Sequence, residues 1–191
     1  MHWRMIYKTH TTFSLSLTLI PFSLGIITLT EPEQFILLLI TSYIFSLAPD
    51  FDEPGSYLSK RFPWMIISHI ISAFTTHRGV THRFLAPFIV TAMFSPIIYF
   101  YPAYSYILVV IFISYLGHLI GDGFTIGGLK RFYYPFSKKT VWFLPKFLRF
   151  KTGSFIENIW LLIFTFSALI QIYLIIIRYK GFGLYNLIWF L

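Results

Sequence analysis

Five apolar stretches of this chain approach the length of a bilayer crossing, and that constrains the fold more than any other feature. In hydrocarbon every backbone amide must be satisfied within the protein, so spans of this kind are helices. The first runs from Phe13 to Thr30, with Ser and Thr as its only polar side chains. Pro21 and Gly25 lie inside it, which neighbouring helices tolerate in lipid. No small-x-small cleavage pattern follows a short apolar core, so it is expected to be a retained span and not a removable leader. Glu31-Pro32-Glu33 ends it. The second run, Gln34 to Ala48, is short and implies tilt or a thinned membrane. Phe84 to Tyr101 is expected as the third span, Tyr104 to Ile120 as the fourth and Asn158 to Ile177 as the fifth. Pro63 to Phe74 is too short to cross and reads as an interfacial or re-entrant helix. Leu184 to Leu191 is a short apolar tail.

Composition supports the same class. Charged residues make up 12% of the 191 and apolar residues 57%. A soluble domain is about one quarter charged. Mean hydropathy is +0.71. The expectation is an all-α, polytopic membrane bundle of about five transmembrane helices plus one short interfacial helix, forming a single domain over 1–191. The absence of cysteine removes thiolate metal sites and a cysteine nucleophile.

Orientation follows from the cations, which collect on the cytoplasmic side of bacterial membranes. With five spans, Arg4 and Lys8, then Lys60, Arg61, Arg78 and Arg83, then Lys130, Arg131, Lys138, Lys139, Lys146, Arg149 and Lys151 share one face. Only Arg178 and Lys180 fall opposite, so 13 of the 15 cations agree. A crossing by Pro63 to Phe74 would divide them.

Polar chemistry gathers at that same face. His10 precedes the first span, and Pro49-Asp50-Phe51-Asp52 closes the second. His77-Arg78-Gly79-Val80-Thr81-His82 opens the third, and Gly117-His118-Leu119-Ile120-Gly121-Asp122 closes the fourth. Gly153-Ser154-Phe155-Ile156-Glu157 opens the fifth. His118 and Asp122 are four apart, so a helix projects both from one side. An extended turn after Pro49 would aim Asp50 and Asp52 at one pocket, where two anions repel unless a cation lies between them. Gly153-Ser154 reads as a loop or an N-cap before Glu157.

Each cluster alone has an ordinary explanation: a solvated acidic loop, interfacial histidines, a hydrogen-bonded helix pair, a helix-start acid. Their joint occurrence on one face favours a metal site made by His10, Asp50, Asp52, His77, His82, His118, Asp122 and Glu157. That all N/O set suits zinc, manganese or iron, and its size suits two or more ions. Such a site would lower the pKa of water and direct hydroxide at an ester or phosphoester. His2 and His69 belong to no cluster and are read as structural, and Glu31, Glu33 and Glu53 as loop solubilisers.

His10, the PDxD of Pro49 to Asp52, the HRGxTH of His77 to His82, the HxxxD of His118 to Asp122 and the GSxxE ending at Glu157 occur in that order. Over about residues 5 to 160 this resembles the predicted membrane-bound metal-dependent hydrolases of bacteria and archaea, the YdjM-like inner-membrane proteins. The ligand order is also distantly similar to zinc-dependent phospholipase C. The resemblance implies a metal-dependent hydrolase, with zinc expected first and manganese or iron as alternatives, and it leaves the substrate open. Many members carry Ser after the second His of HRGxTH, where this chain has Arg83, which adds a cation near the site.

The expected function is therefore hydrolysis at the cytoplasmic face of the inner membrane. Asp50 or Asp52 is the candidate general base, and Arg78 the candidate for steadying developing negative charge, although an ordinary positive-inside cation explains Arg78 slightly better. The expected partners are membrane lipids and a lipid-like or phosphoester substrate. The basic loop from Lys130 to Lys151 attracts anionic headgroups, and Phe132, Tyr133, Tyr134, Phe136, Trp142 and Phe143 are expected in the interface. Nucleic acid is not expected, since topology already accounts for the basic residues. The competing readings are a structural metal staple and, less favoured, a metal transporter, whose ligands would lie nearer the bilayer midplane.

Overall fold

The computed structural model describes residues 7–57, 59–74 and 79–178. Its elements are α1 (Tyr7–Ser23), α2 (Pro32–Leu47) running into a 3-10 turn (Ala48–Asp52), and α3 (Trp64–Phe74). A second 3-10 turn (Val80–His82) leads to α4 (Ala86–Met93), α5 (Pro96–Phe100), α6 (Tyr106–Phe124) and α7 (Phe155–Arg178). Among the described residues there is no strand beyond two isolated bridges in the loop before α7.

Three segments are long and apolar enough to cross a membrane: Pro32–Asp52, Pro102–Phe124 and Phe155–Arg178. Two of the expected spans take shorter forms. The helix begun before Phe13 ends at Ser23, where Gly25 adopts φ +75 and the chain turns. The Arg178 guanidinium closes this end by donating to the Leu24 carbonyl at 2.5 Å. At about 1.5 Å per residue, the 17 residues of α1 extend roughly 25 Å. The run Phe84 to Tyr101 is broken into α4 and α5, because Pro96 has no N–H to continue the first ladder and instead starts the second. The interfacial reading of Pro63 to Phe74 meets an 11-residue helix, α3.

Local chemistry sets the ends of α2. Pro32 occupies the first turn, and the Gln34 amide oxygen accepts from Thr30 N–H at 2.8 Å and from Glu31 N–H at 3.4 Å. Gln34 also donates to the Ala103 carbonyl at 3.3 Å, which ties α2 to the turn before α6.

α1 packs against α2, α6 and α7, while α4 lies on α6. In the apolar stretch of Pro102–Phe124 61% is buried, against 22% for Phe155–Arg178, so α6 is a central post and α7 an outer one. Leu19, Phe22, Leu38, Val110, Ile111 and Ile175 form an apolar core between α1, α2, α6 and α7. One layer nearer the other end, three hydroxyls tie the central helices. Thr18 Oγ1 lies 2.9 Å from Ser114 Oγ, which donates to Ser42 Oγ at 3.0 Å. In lipid such interhelical bonds substitute for the hydrophobic drive that water would supply.

The basic loop before α7 is partly folded into the protein. Phe132 is buried against Ala86, Tyr115, Leu119 and Leu129, so it is core and not an interfacial residue. Its carbonyl accepts from Phe84 N–H at 3.0 Å. Phe136 remains exposed. Arg83 stacks over Tyr134 at 4.2 Å and Arg149 over Trp142 at 4.5 Å.

Candidate metal centre

The first turn of α1, the end of α2, the turn before α4 and the last turns of α6 meet at one end of the bundle. The opposite end is marked by the Arg178–Leu24 and Gln34–Ala103 bonds. Each meeting segment brings one or two of the expected side chains. His10, His82, His118 and Asp122 are buried, and Asp50 is the most open of the group, with 21% of its side chain exposed.

The ligand-type atoms converge closely. His10 Nε2 lies 3.6 Å from Asp122 Oδ1, and His82 Nε2 lies 3.6 Å from both Asp50 Oδ1 and Asp122 Oδ2. His118 Nε2 lies 3.7 Å from the same Asp50 Oδ1. Two overlapping groups result, His10–His118–Asp122 and Asp50–His82–His118, each with one atom per residue inside a 4.8 Å sphere of mutual distances. Asp122 links them, because one of its oxygens faces His10 and the other faces His82.

These separations exceed hydrogen-bond length. They approach the spacing of two ligands on one tetrahedral ion, about 3.4 Å for bonds near 2.1 Å. His118 gives a second test of fit. Its Nδ1 lies 2.7 Å from the Ser46 carbonyl, which can only accept, so Nδ1 carries the proton and Nε2 carries the lone pair. That Nε2 is buried, is aimed at Asp50 and makes no hydrogen bond. A carbonyl behind a histidine is the usual support of a metal-ligating imidazole. The residues present fit a divalent ion. His118 stands in both groups and offers one nitrogen, so His10, Asp50, His82 and Asp122 would supply the remaining ligands.

Charge points the same way. Asp50, Asp52 and Asp122 lie among three imidazoles with little access to water, and buried anions need positive charge beside them. Burial alone would push the His82 pKa down, but the neighbouring carboxylates of Asp50, Asp52 and Asp122 outweigh it and push it up to about 9.

Asp52 takes a different position from the one the extended-turn reading predicts. Residues 48–52 form a 3-10 helix with three residues per turn, so positions two apart point in different directions. Asp50 faces Nε2 of His82, whereas Asp52 Oδ2 lies 3.6 Å from its Nδ1. Asp52 thus stands behind His82 and outside both ligand groups. Thr81 is with it: its hydroxyl donates to Asp52 Oδ2 at 2.6 Å and lies 3.0 Å from His82 Nδ1.

Glu157 is fully buried and also outside both groups. Its Oε2 accepts from Gly153 N–H at 2.6 Å, and its own N–H donates to Ser154 Oγ at 3.3 Å. These bonds make Ser154 the cap of α7 and Glu157 its third residue. His77 and Arg78 lie outside the described residues, as does His2. His69 stays within its own helix, with Nδ1 2.7 Å from the Met65 carbonyl.

Four supporting features escape sequence reasoning. The Ser46 carbonyl is a backbone group and leaves no residue-type signal. Thr81 and Tyr115, whose hydroxyl donates to the Thr81 carbonyl at 2.8 Å, carry no metal-ligand chemistry of their own. Gly117 sits within the Gly-His pair already noted, but its task is steric. A Cβ there would lie 2.7 Å from Ser14 Oγ and 3.0 Å from Ser14 Cα, so only glycine lets α1 bring His10 against α6.

Comparison with known proteins adds a family. A family model described as YdjM inner membrane protein matches residues 5–189. The chain is 38% identical over 86 residues to inner membrane protein YdjM of Escherichia coli (strain K12), and equally to that of Shigella flexneri. These alignments cover 44% of this chain and 42% of each relative, so the matched part is less than half the length of those proteins. Their names state a membrane and no reaction. No solved structure matches.

Proposed function

Because the chain belongs to the YdjM inner membrane protein family, we propose that it is an inner-membrane, metal-dependent hydrolase with its site facing the cytoplasm. The observation that carries this reading is the convergence of five N/O side chains from four separated segments, with His118 Nε2 buried and lacking a hydrogen bond. His10, Asp50, His82, His118 and Asp122 would hold one or two zinc ions, with manganese or iron as alternatives. A divalent ion bound there supplies a water whose pKa falls to about 7, a nucleophile available at neutral pH.

Asp50 is the residue of the site that approaching water and substrate can reach. It is therefore the candidate general base, and Asp52 is better placed as its neighbour's support. A catalytic site keeps an open coordination position where a structural staple is closed, and turnover is what separates the two. Transport is disfavoured by Leu19, Phe22, Leu38, Val110 and Ile111, whose apolar packing lies between the site and the far end of the bundle.

The substrate class is an ester or phosphoester of an amphiphile, met at the membrane surface. Support comes from the position of the site at the end of apolar helices and from the cations and aromatics of the neighbouring loop. In this topology α1 and the α4–α5 pair complete five crossings, and the cation-rich loops lie in the cytoplasm.

The test is metal analysis of the purified full-length chain, followed by a panel of phosphoester and lipid substrates with and without chelator. Turnover that chelator removes and zinc restores is the expected result. Failure to turn over any class after metal reconstitution would overturn the hydrolase and leave the staple.

A further inference from the structure

The ring of His82 has two nitrogens with different neighbours, and the hydroxyl of Thr81 decides which one faces the ligand cluster. An ionised carboxylate only accepts hydrogen bonds. Thr81 Oγ1 therefore spends its single proton on Asp52 Oδ2, 2.6 Å away. At 3.0 Å from His82 Nδ1, the same oxygen then has only lone pairs to offer. In the neutral ring, the form that binds a metal, Nδ1 must be the protonated nitrogen, and Nε2 presents its lone pair towards Asp50 and Asp122.

Thr81 is itself held. Tyr115, on the same helix as His118 and Asp122, donates to the Thr81 carbonyl at 2.8 Å. The 3-10 turns carrying Asp52 and Thr81 also pack on each other. His82 is 1% exposed, so solvent does not compete for either nitrogen.

We propose that Thr81 and Asp52 are a positioning pair, a hydroxyl and a carboxylate in series that fix the tautomer and direction of His82 for metal binding, and that Asp52 is not itself a ligand. The inference rests on the reading of the cluster as a metal centre. It parallels what the Ser46 carbonyl does for His118, with the difference that side chains supply it and mutation can remove it.

The experiment measures zinc affinity and zinc stoichiometry of the full-length chain in detergent, by chelator competition, for Thr81→Val, Thr81→Ser, Asp52→Asn and Tyr115→Phe. Loss of an outer support of a metal-bound histidine typically costs about 10–100-fold in affinity. T81V should show a loss of that order with stoichiometry unchanged, and T81S should retain affinity within about threefold, since it keeps the hydroxyl. D52N should weaken binding without losing an ion. Y115F loosens the same turn but keeps the series intact, so it should stay near the original affinity.

T81V with unchanged affinity would overturn the proposal, as would Y115F weakened as much as T81V, which would make turn rigidity the cause. A D52N protein that binds fewer ions would overturn it too, by making Asp52 a ligand. If the unmodified chain binds no zinc, manganese or iron, the failure is of the metal centre itself and is distinguishable from these results.

Discussion

His10 and His118 stack face to face, with ring centroids 4.0 Å apart and planes inclined by 9°. Two helices must approach closely for this, and the approach is made at Gly117, directly beside Ser14 of α1. The stack places both rings in one ligand group with Asp122. Stacked imidazoles cannot both carry charge cheaply, and a shared cation is a natural partner for two neutral rings.

Gly117→Ala should therefore separate α1 from α6. The contact at 3.0 Å is with backbone, so α1 itself must shift. We expect a stability loss of about 1–3 kcal/mol, the usual cost of overpacking, together with weakened metal binding. Ser14→Gly in the same protein removes the Ser14 Oγ and Cβ contacts and should recover part of the loss. Thermal unfolding and metal titration of both proteins measure it.

Ligand deletion should be unequal. His118 belongs to both groups, whereas His10 belongs to one. His118→Ala should disturb both groups and cost the larger share of metal affinity, and His10→Ala should leave a site at Asp50, His82 and His118. If a four-ligand site is worth about 10–16 kcal/mol, one ligand corresponds to roughly a hundredfold in affinity or more. Metal content by mass spectrometry of each purified variant checks this, and equal loss from both would contradict the two-group arrangement.

Metal removal offers a stability test independent of turnover. An ion that binds only the folded chain adds about 2.7 kcal/mol at a concentration one hundred times its dissociation constant. Zinc should raise the unfolding midpoint of the chelator-treated protein, and the rise should vanish in His118→Ala. A similar rise in that variant would place the ion elsewhere.

How far these features could be read from the residues depends on what each one rests on. The helical spacing of His118 and Asp122 announces their shared direction, and the clusters flank apolar runs, so their meeting at one end follows from threading alone. Asp50 and Asp52 are different. Their residue types suggest two equal ligands, but the 3-10 geometry of Ala48–Asp52 sends them to opposite nitrogens of His82. Phe132 looks interfacial by type and charge context and is instead claimed by the packing of α4 on α6. Pro96 is plain in the sequence, yet whether it kinks or divides a helix depends on the packing around it.

The hydroxyl layer below the site should matter to folding and not to metal. Ser114→Ala removes bonds to both Thr18 and Ser42, which join α1, α2 and α6. Interhelical bonds of this kind average about 0.6 kcal/mol and reach about 1.7. We expect a destabilisation in that range with zinc affinity unchanged. A large loss of affinity would mean that the layer sets the spacing of the ligands above it.

Orientation can be tested cleanly because the chain contains no cysteine. Phe136 is 82% exposed, in the basic loop at the same end as the site. Tyr101 is 65% exposed, at the turn that begins α6 and hence at the opposite end. Single cysteines at these positions should respond oppositely to a membrane-impermeant maleimide. Tyr101→Cys should label in intact spheroplasts, and Phe136→Cys only after the membrane is opened. The reverse pattern would put the ligand cluster on the outer side of the membrane and, with it, the substrate.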